Sequence, residues 1–360
     1  MTGLKNKKID KILIVKPSSL GDIFHCFAAV DLLHKAFPHA QFDWFVRPEF
    51  EEAIAYCPVK INRTIHFPRR RLGKVKSFLP AFLKVINDLR KEKYDLIVDF
   101  QGLLRSAIFT SLSRSSQTVG FALPKESAAR LAYKNKIHIP KECVHAVDRN
   151  IALVEAITNL KASKQVPALA QVDKFKKQIE IIFKKHDISP DDKLMGIVPG
   201  ARWDSKRWPP DFFANIATDF LAENPDYKVL IIGAPDDQVS AQKIISTASD
   251  KRIISIAGDT SIGEMIEAIR HCRFIFSNDS GPVHIAAALQ KTVFAVFGPT
   301  DPDKTGPYGD FHHIFQRDLK CIKCLKRTCP TGSYQCHDLD ISELVSTLNN
   351  YLKSGEANEN

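Results

Sequence analysis

Short apolar runs recur along the chain, each followed by a turn and then by a longer stretch with helical spacing. KILIV (11–15) leads through PSSLGD into IFHCFAAVDLLHKAF, and QFDWFV (41–46) follows. Residues 78–93 have amphipathic periodicity, and DLIVDF (95–100) is again continuously apolar at its centre. Apolar runs of this length suit strands buried on both faces, and strand–helix–strand at this spacing predicts right-handed crossovers and a parallel sheet. By this count DLIVDF is the third strand. The pattern lapses over LKASKQVPALAQVD (160–173), which reads as a linker, and then restarts. LMGIVPG (194–200), KVLIIGAP (228–235), RIISIAG (252–258), RFIFSND (273–279) and TVFAVFG (292–298) are the strands of a second half. The expected fold class is α/β, with two doubly wound Rossmann-like domains, residues 1–165 and 166–350, facing a central cleft. Residues 351–360, ending SGEANEN, are expected to form a flexible tail.

Length agrees with this division, since 360 residues suit two domains of ~150 each. No apolar run approaches the roughly 18 residues of a membrane span. The first apolar run, ILIV, is too short for a signal peptide, so a cytoplasmic location is expected. Net charge is +10 and concentrated: residues 63–93 carry ten Lys and Arg against Asp88 and Glu92 alone. Such a patch attracts an anionic partner (nucleic acid, an acidic membrane surface or a phosphorylated substrate) or is simply a solvated face. Cys26, Cys57, Cys143 and Cys272 are scattered, as reduced thiols would be. Cys321, Cys324, Cys329 and Cys336 are clustered with the ligand count of a zinc site but not the spacing of a ribbon or finger. A zinc site, a disulfide and a reduced loop all remain open.

Candidate chemistry lies where strands end. In SNDSGPVHIAAAL (277–289) a strand stops at Asp279, Ser280 and Gly281 turn, and Pro282 suits a first helical turn. A helix N-terminus placed there presents free N–H groups to a phosphate, with His284 within one turn; a plain strand–turn–helix is the alternative. PGARWDSKRWPPDFF (199–213) sets Lys206 and Arg207 between Trp203 and Trp208, which suits a diphosphate or a solvated loop. KPSSLGDIFH (16–25) is neither a Walker loop nor GxGxxG; its Asp22 complements a helix dipole or faces a ligand, with Ser19 beside it. In GAPDDQ (233–238), Asp236 and Asp237 suit ribose hydroxyls or a helix cap.

Together these segments resemble glycosyltransferase family nine, the ADP-heptose:lipopolysaccharide heptosyltransferases. The family's basic residue and SSxGD, its GxxWxxKxWP and its D[ST]GxxH are matched by KPSSLGD, GARWDSKRWP and DSGPVH, in order, over roughly residues 10–345. DFQGLLRSA (99–107) and HAVDRN (145–150) are most similar to the type I enzymes, while CIKCLKRTCPTGSYQC (321–336) is similar to a segment of type II and other members.

The resemblance implies a GT-B fold with acceptor on the N-terminal domain and ADP-heptose on the C-terminal one. Transfer with inversion needs a base for the acceptor hydroxyl and charge neutralisation for the leaving ADP. Asp22 is the expected base and Lys206 the leaving-group cation. Asp237, Asp279, Ser280, Gly281 and His284 join Lys206 around the donor, and Ser19, Arg69, Arg70, Arg71, Arg105 and Arg149 are expected on the acceptor side. No DxD motif is evident among the candidate sites, so no metal or other cofactor is required. The expected partners are an ADP-sugar and a Kdo-lipid A type acceptor, met by peripheral contact with the anionic inner-membrane surface, and not nucleic acid. A transferase for another nucleotide sugar or a later core acceptor, a sugar-nucleotide 2-epimerase, and a non-enzymatic zinc- and nucleic-acid-binding protein are the alternatives. The last leaves the three strand-end motifs unexplained.

Overall fold

The computed structural model describes residues 8–163 and 166–355. It divides into two compact units, Met1–Gln171 and Val172–Asn360. The first holds six parallel strands, β1 (Lys11–Val15), β2 (Gln41–Val46), β3 (Ile61–His66), β4 (Tyr94–Asp99), β5 (Ser115–Phe121) and β6 (Asn135–Ile137). Their spatial order is β3-β2-β1-β4-β5-β6. The second holds β7 (Lys193–Val198), β8 (Tyr227–Ile231), β9 (Ile253–Ser255), β10 (Phe274–Asn278), β11 (Thr292–Val296) and β12 (His313–Phe315), in the order β12-β11-β10-β7-β8-β9. Counted within each unit, both orders are the doubly wound 3-2-1-4-5-6. The strand sequence reverses between β1 and β4 in one unit and between β7 and β10 in the other. A crevice opens beyond the strand carboxyl ends at such a reversal, and ligands bind there.

Burial explains why central strands form where the apolar runs are. All five residues of β10 and β11 are buried, as are all but the first of β1 and β7. Outer strands differ: the edge strand β3 (INRTIH) buries only Ile65, and β5, between β4 and the edge strand β6, begins with partly exposed polar residues. DLIVDF is therefore the fourth strand, because β3 precedes it.

Helices cover both sheets. Leu20–Ala36 starts three residues before the apolar stretch that signals it and packs on Ala146–Thr158, where Asn150 Nδ2 donates to His25 O at 3.0 Å. The amphipathic helix runs over Val75–Arg90. In the second unit Phe213, Phe220, Phe274, Phe276 and Phe294 form a fully buried aromatic centre.

Neither helix nor strand occurs between Asn159 and Val172 among the described residues. Lys164 and Gln165, at the expected 165/166 boundary, lie outside them. The last helix, Ile341–Lys353, buries Tyr351, so the expected tail begins inside a helix; residues 356–360 lie outside the described residues. Among the described residues no helix is long and apolar enough to cross a membrane.

Candidate active site

In the first unit, β1 and β4 deliver two loops to the reversal point. Lys16, only 7% exposed, donates from Nζ to Phe100 O at 3.1 Å. Ser18 N donates to Gln101 Oε1 at 3.3 Å, so the two loops hold each other. Asp99 organises the second. It is fully buried and accepts from Gln101 N (2.8 Å), Gly102 N (3.1 Å), Ser106 Oγ (3.0 Å) and Tyr133 OH (3.0 Å). Burial pushes its pKa up against the pull of those bonds. DFQGLLRS is thus a loop built around one carboxylate.

Asp22 sits in the first turn of Leu20–Ala36. Ser19 N and Ser19 Oγ donate to its Oδ2 at 2.8 and 2.6 Å. This is the local capping role weighed against a functional one, and it leaves Oδ1 outside the cap. Burial opposes the charge of Asp22, but Lys16, His25 and the two bonds from Ser19 outweigh it. The carboxyl is held well below the usual carboxylate range. A cavity of about 270 Å³ opens here, lined by Asp22, Lys16, His25, Gln101, Lys125 and Arg149 among others. The Arg149 guanidinium lies 5.7 Å over the Phe121 ring.

The other expected acceptor-side cations stand elsewhere. Arg105 is exposed on the helix Leu104–Leu112 and does not line this cavity. Arg69, Arg70 and Arg71 form the exposed one-turn helix Arg69–Leu72. Arg71 lines a separate cavity of about 590 Å³ with Arg63, His66 and Lys84. The structure therefore joins Arg149, and not the other four arginines, to Asp22.

In the second unit, β10 ends at Asn278, and Asp279 is 4% exposed. Lys206 Nζ lies 2.6 Å from Asp279 Oδ2, which also accepts from Thr300 Oγ1. The same ammonium lies 4.9 Å from the Trp203 ring centre. Ser280 is the N-cap of the helix Gly281–Ala288, with His284 half-buried in its first turn. A cation and the opening of a helix thus share one strand end, an arrangement suited to an anion. Asp237 Oδ2 accepts from Ala234 N at 2.9 Å, the capping alternative again. Its carboxylate lies so close to Gly200 that a Cβ there would sit 2.2 Å from Oδ2. Gly200 is needed for that approach, whereas exposed Asp236 takes no part in it.

Residues not singled out by sequence fix this loop. Asn278 Nδ2 donates to Pro199 O (2.7 Å), and its Oδ1 accepts from Trp208 N (3.2 Å). Trp208 Nε1 donates to His337 O (2.6 Å), while the His337 ring pairs with Ser205 O (2.9 Å). Ser205 also bonds Lys326 O and Arg327 O. The cysteine segment is thus the buttress of the Lys206 loop. All eight cysteines are free thiols, and among the described residues no group of His, Cys, Asp or Glu could hold a metal ion. Of the three options for Cys321, Cys324, Cys329 and Cys336, neither the zinc site nor the disulfide is assembled. Their spacing carries no sign of the backbone contacts around them.

Residues 82–335 match the sequence profile of Glycosyltransferase family 9 (heptosyltransferase). The chain is similar to lipooligosaccharide heptosyltransferase 2 of Haemophilus ducreyi, 27% identical over 95% of this chain and 99% of that one. It is equally similar to lipopolysaccharide heptosyltransferase 1 of Pseudomonas aeruginosa, 27% identical over 89% of this chain and 87% of that one. The Escherichia coli heptosyltransferase WaaC, solved with ADP, shares the fold at TM-score 0.74 and 23% identity, over 94% of this chain and 99% of that one. Two Rossmann sheets of the GT-B kind, each with polar loops at its reversal point, and a profile match over most of the length lead to one assignment: the chain belongs to glycosyltransferase family 9.

Proposed function

We propose that the chain transfers heptose, with inversion, from ADP-heptose to a Kdo-lipid A type inner-core acceptor of lipopolysaccharide. The observation that carries this reading is the Lys206–Asp279 pair beside the helix opening at Ser280–Gly281. It supplies a cation and oriented N–H groups where a leaving diphosphate gathers charge. Relatives named heptosyltransferase 1 and heptosyltransferase 2 match at the same identity, so a later core acceptor is the second reading.

In the proposed mechanism the acceptor lies on the first unit, with Arg149 and the cations of residues 69–71 meeting its phosphates or carboxylates. Arg105 serves the periphery, and Ser19 holds Asp22. The acceptor hydroxyl gives its proton to Asp22 as oxygen attacks the anomeric carbon. The low proton affinity of Asp22 couples that transfer to bond formation, because only an attacking hydroxyl is acidic enough to give up its proton. On the second unit Lys206 retains two N–H donors beyond its bond to Asp279 and turns them to the departing diphosphate. His284, Ser280 and Gly281 add donors there, and Asp237 takes the ribose.

Incubation with ADP-heptose and Kdo₂-lipid A, read by mass spectrometry, tests this. The expected product gains one heptose as ADP is released. Product only from an already heptosylated acceptor assigns the later step, and no product from either overturns the reading.

A further inference from the structure

The helix Val75–Arg90 is gripped by its unit over only part of its length. Ala81, Val85, Ile86 and Leu89 are buried, all of them beyond the first six residues of the helix. Ahead of them the helix overhangs, with Val75 96% exposed, Leu79 61% and Phe78 46%; Leu83 (51%) continues the row. Val75, Leu79 and Leu83 stand four residues apart and so form one stripe along the helix. Phe78 stacks on Phe82, with ring centres 5.5 Å apart, which stiffens this projecting end.

Charge around the stripe is of one sign. From Arg69 to Lys84 there are six basic residues and no acidic one. None of the six forms an ion pair among the described residues, although basic side chains elsewhere in the unit, such as Lys91 and Arg63, do. Lys74, Lys76 and Lys84 are exposed on and beside the helix. Unpaired cations flanking exposed aliphatic and aromatic side chains on one short helix meet both demands of a bilayer interface. The anionic headgroups attract the lysines, and the acyl boundary takes up the stripe. A soluble protein partner would need its own acidic, apolar counterpart, whereas a bilayer supplies both features at once.

We infer that the exposed apolar face of Val75–Arg90 is a membrane-docking element that inserts Val75, Phe78, Leu79 and Leu83 into an anionic bilayer surface. This deepens the lipid-linked acceptor reading, yet its test does not rest on it, because the vesicles used contain no acceptor.

The full chain is sedimented with phosphatidylcholine vesicles, with and without phosphatidylglycerol. Binding is expected to the anionic vesicles, with at least tenfold weaker partition to neutral ones and clear weakening at high salt. The double variant Leu79→Glu/Leu83→Glu, at exposed positions, should keep the wild-type melting temperature and lose at least tenfold in partition. Lys74→Gln/Lys76→Gln/Lys84→Gln should lose the salt dependence. Turnover of an acceptor stripped of acyl chains should be unchanged in the Glu variant. Equal partition of wild type and Glu variant overturns the inference. So does a concentration-dependent dimer in light scattering that the Glu variant abolishes, which would assign the stripe to a second copy.

Discussion

Lys206 Nζ and Asp279 Oδ2 lie 2.6 Å apart, so the cation proposed for the leaving diphosphate is held by a buried carboxylate. Removing Lys206 therefore does two things. Lys206→Ala should lower turnover by on the order of 10² at saturating donor. It should also cost on the order of 3 kcal/mol, because Asp279 is left without its cation. The double change Lys206→Ala/Asp279→Asn separates these effects: urea titration should show most of the stability restored while turnover stays low. Recovery of turnover in the double variant would remove Lys206 from the chemistry.

Asp22→Asn should leave ADP binding intact and cut transfer by about 10²–10⁴. The Ser19 bonds can persist, since an amide oxygen also accepts. The pH dependence follows from the lowered pKa. A carboxylate depressed on folding adds stability above its unfolded pKa, near 3.9, and loses it as pH falls through the folded value. Protonation of Asp22 is thus confined to strong acid, and rate profiles between about pH 5 and 8 should show no acid limb from it. A limb in that range that Asp22→Asn abolishes would contradict this account.

Arg149 shares the cavity of Asp22, whereas Arg105 is exposed outside it. Arg149→Ala should raise the acceptor KM about tenfold or more, and Arg105→Ala should change it less than threefold, given that exposed charges contribute little. Arg69–Arg71→Ala should raise acceptor KM and blunt its salt response while sparing donor binding. Equal losses for donor and acceptor would instead indicate damage to the unit.

The cysteines should differ in reactivity. Thr331 and backbone N–H groups around Cys329 hold its thiol down to about 7. Burial pushes Cys26, Cys57 and Cys272 up to about 12. Alkylation followed by peptide mapping should label Cys329 first, with a half-maximal rate near pH 7. Cys321→Ser/Cys324→Ser, at exposed thiols, should leave turnover of the folded protein unchanged. Loss of activity there would give the thiols a part beyond the loop.

Central strands and strand-end loops were legible because both depend on local pattern. The run ILIV is buried throughout, and DSGP marks a turn into a helix by composition alone. The edge strands β3, β6 and β12, and β5 next to an edge, were not legible, since three- to seven-residue segments with polar or partly exposed positions carry no distinctive apolar signal. Asp22, Asp237 and Asp279 could be named as carboxylates at strand ends, but their partners could not. The bonds from Asn278 and His337 span 70 to 132 residues, and nothing in the intervening sequence encodes them. The four arginines away from Asp22 show the converse: charge density marks a region and leaves each side chain's direction open.

The buttress on the Lys206 loop comes from the chain's last fifth, through Lys326, Arg327 and His337. The strands of the second sheet, β7 to β12, end at Phe315, ahead of all three of these residues in the chain. Leu344, Val345, Leu348 and Tyr351 complete the core of that sheet, so its packing and the clamp on the Lys206 loop both depend on residues after Phe315. A chain cut after β12 is therefore expected to lose the hold on the Lys206 loop together with part of its core.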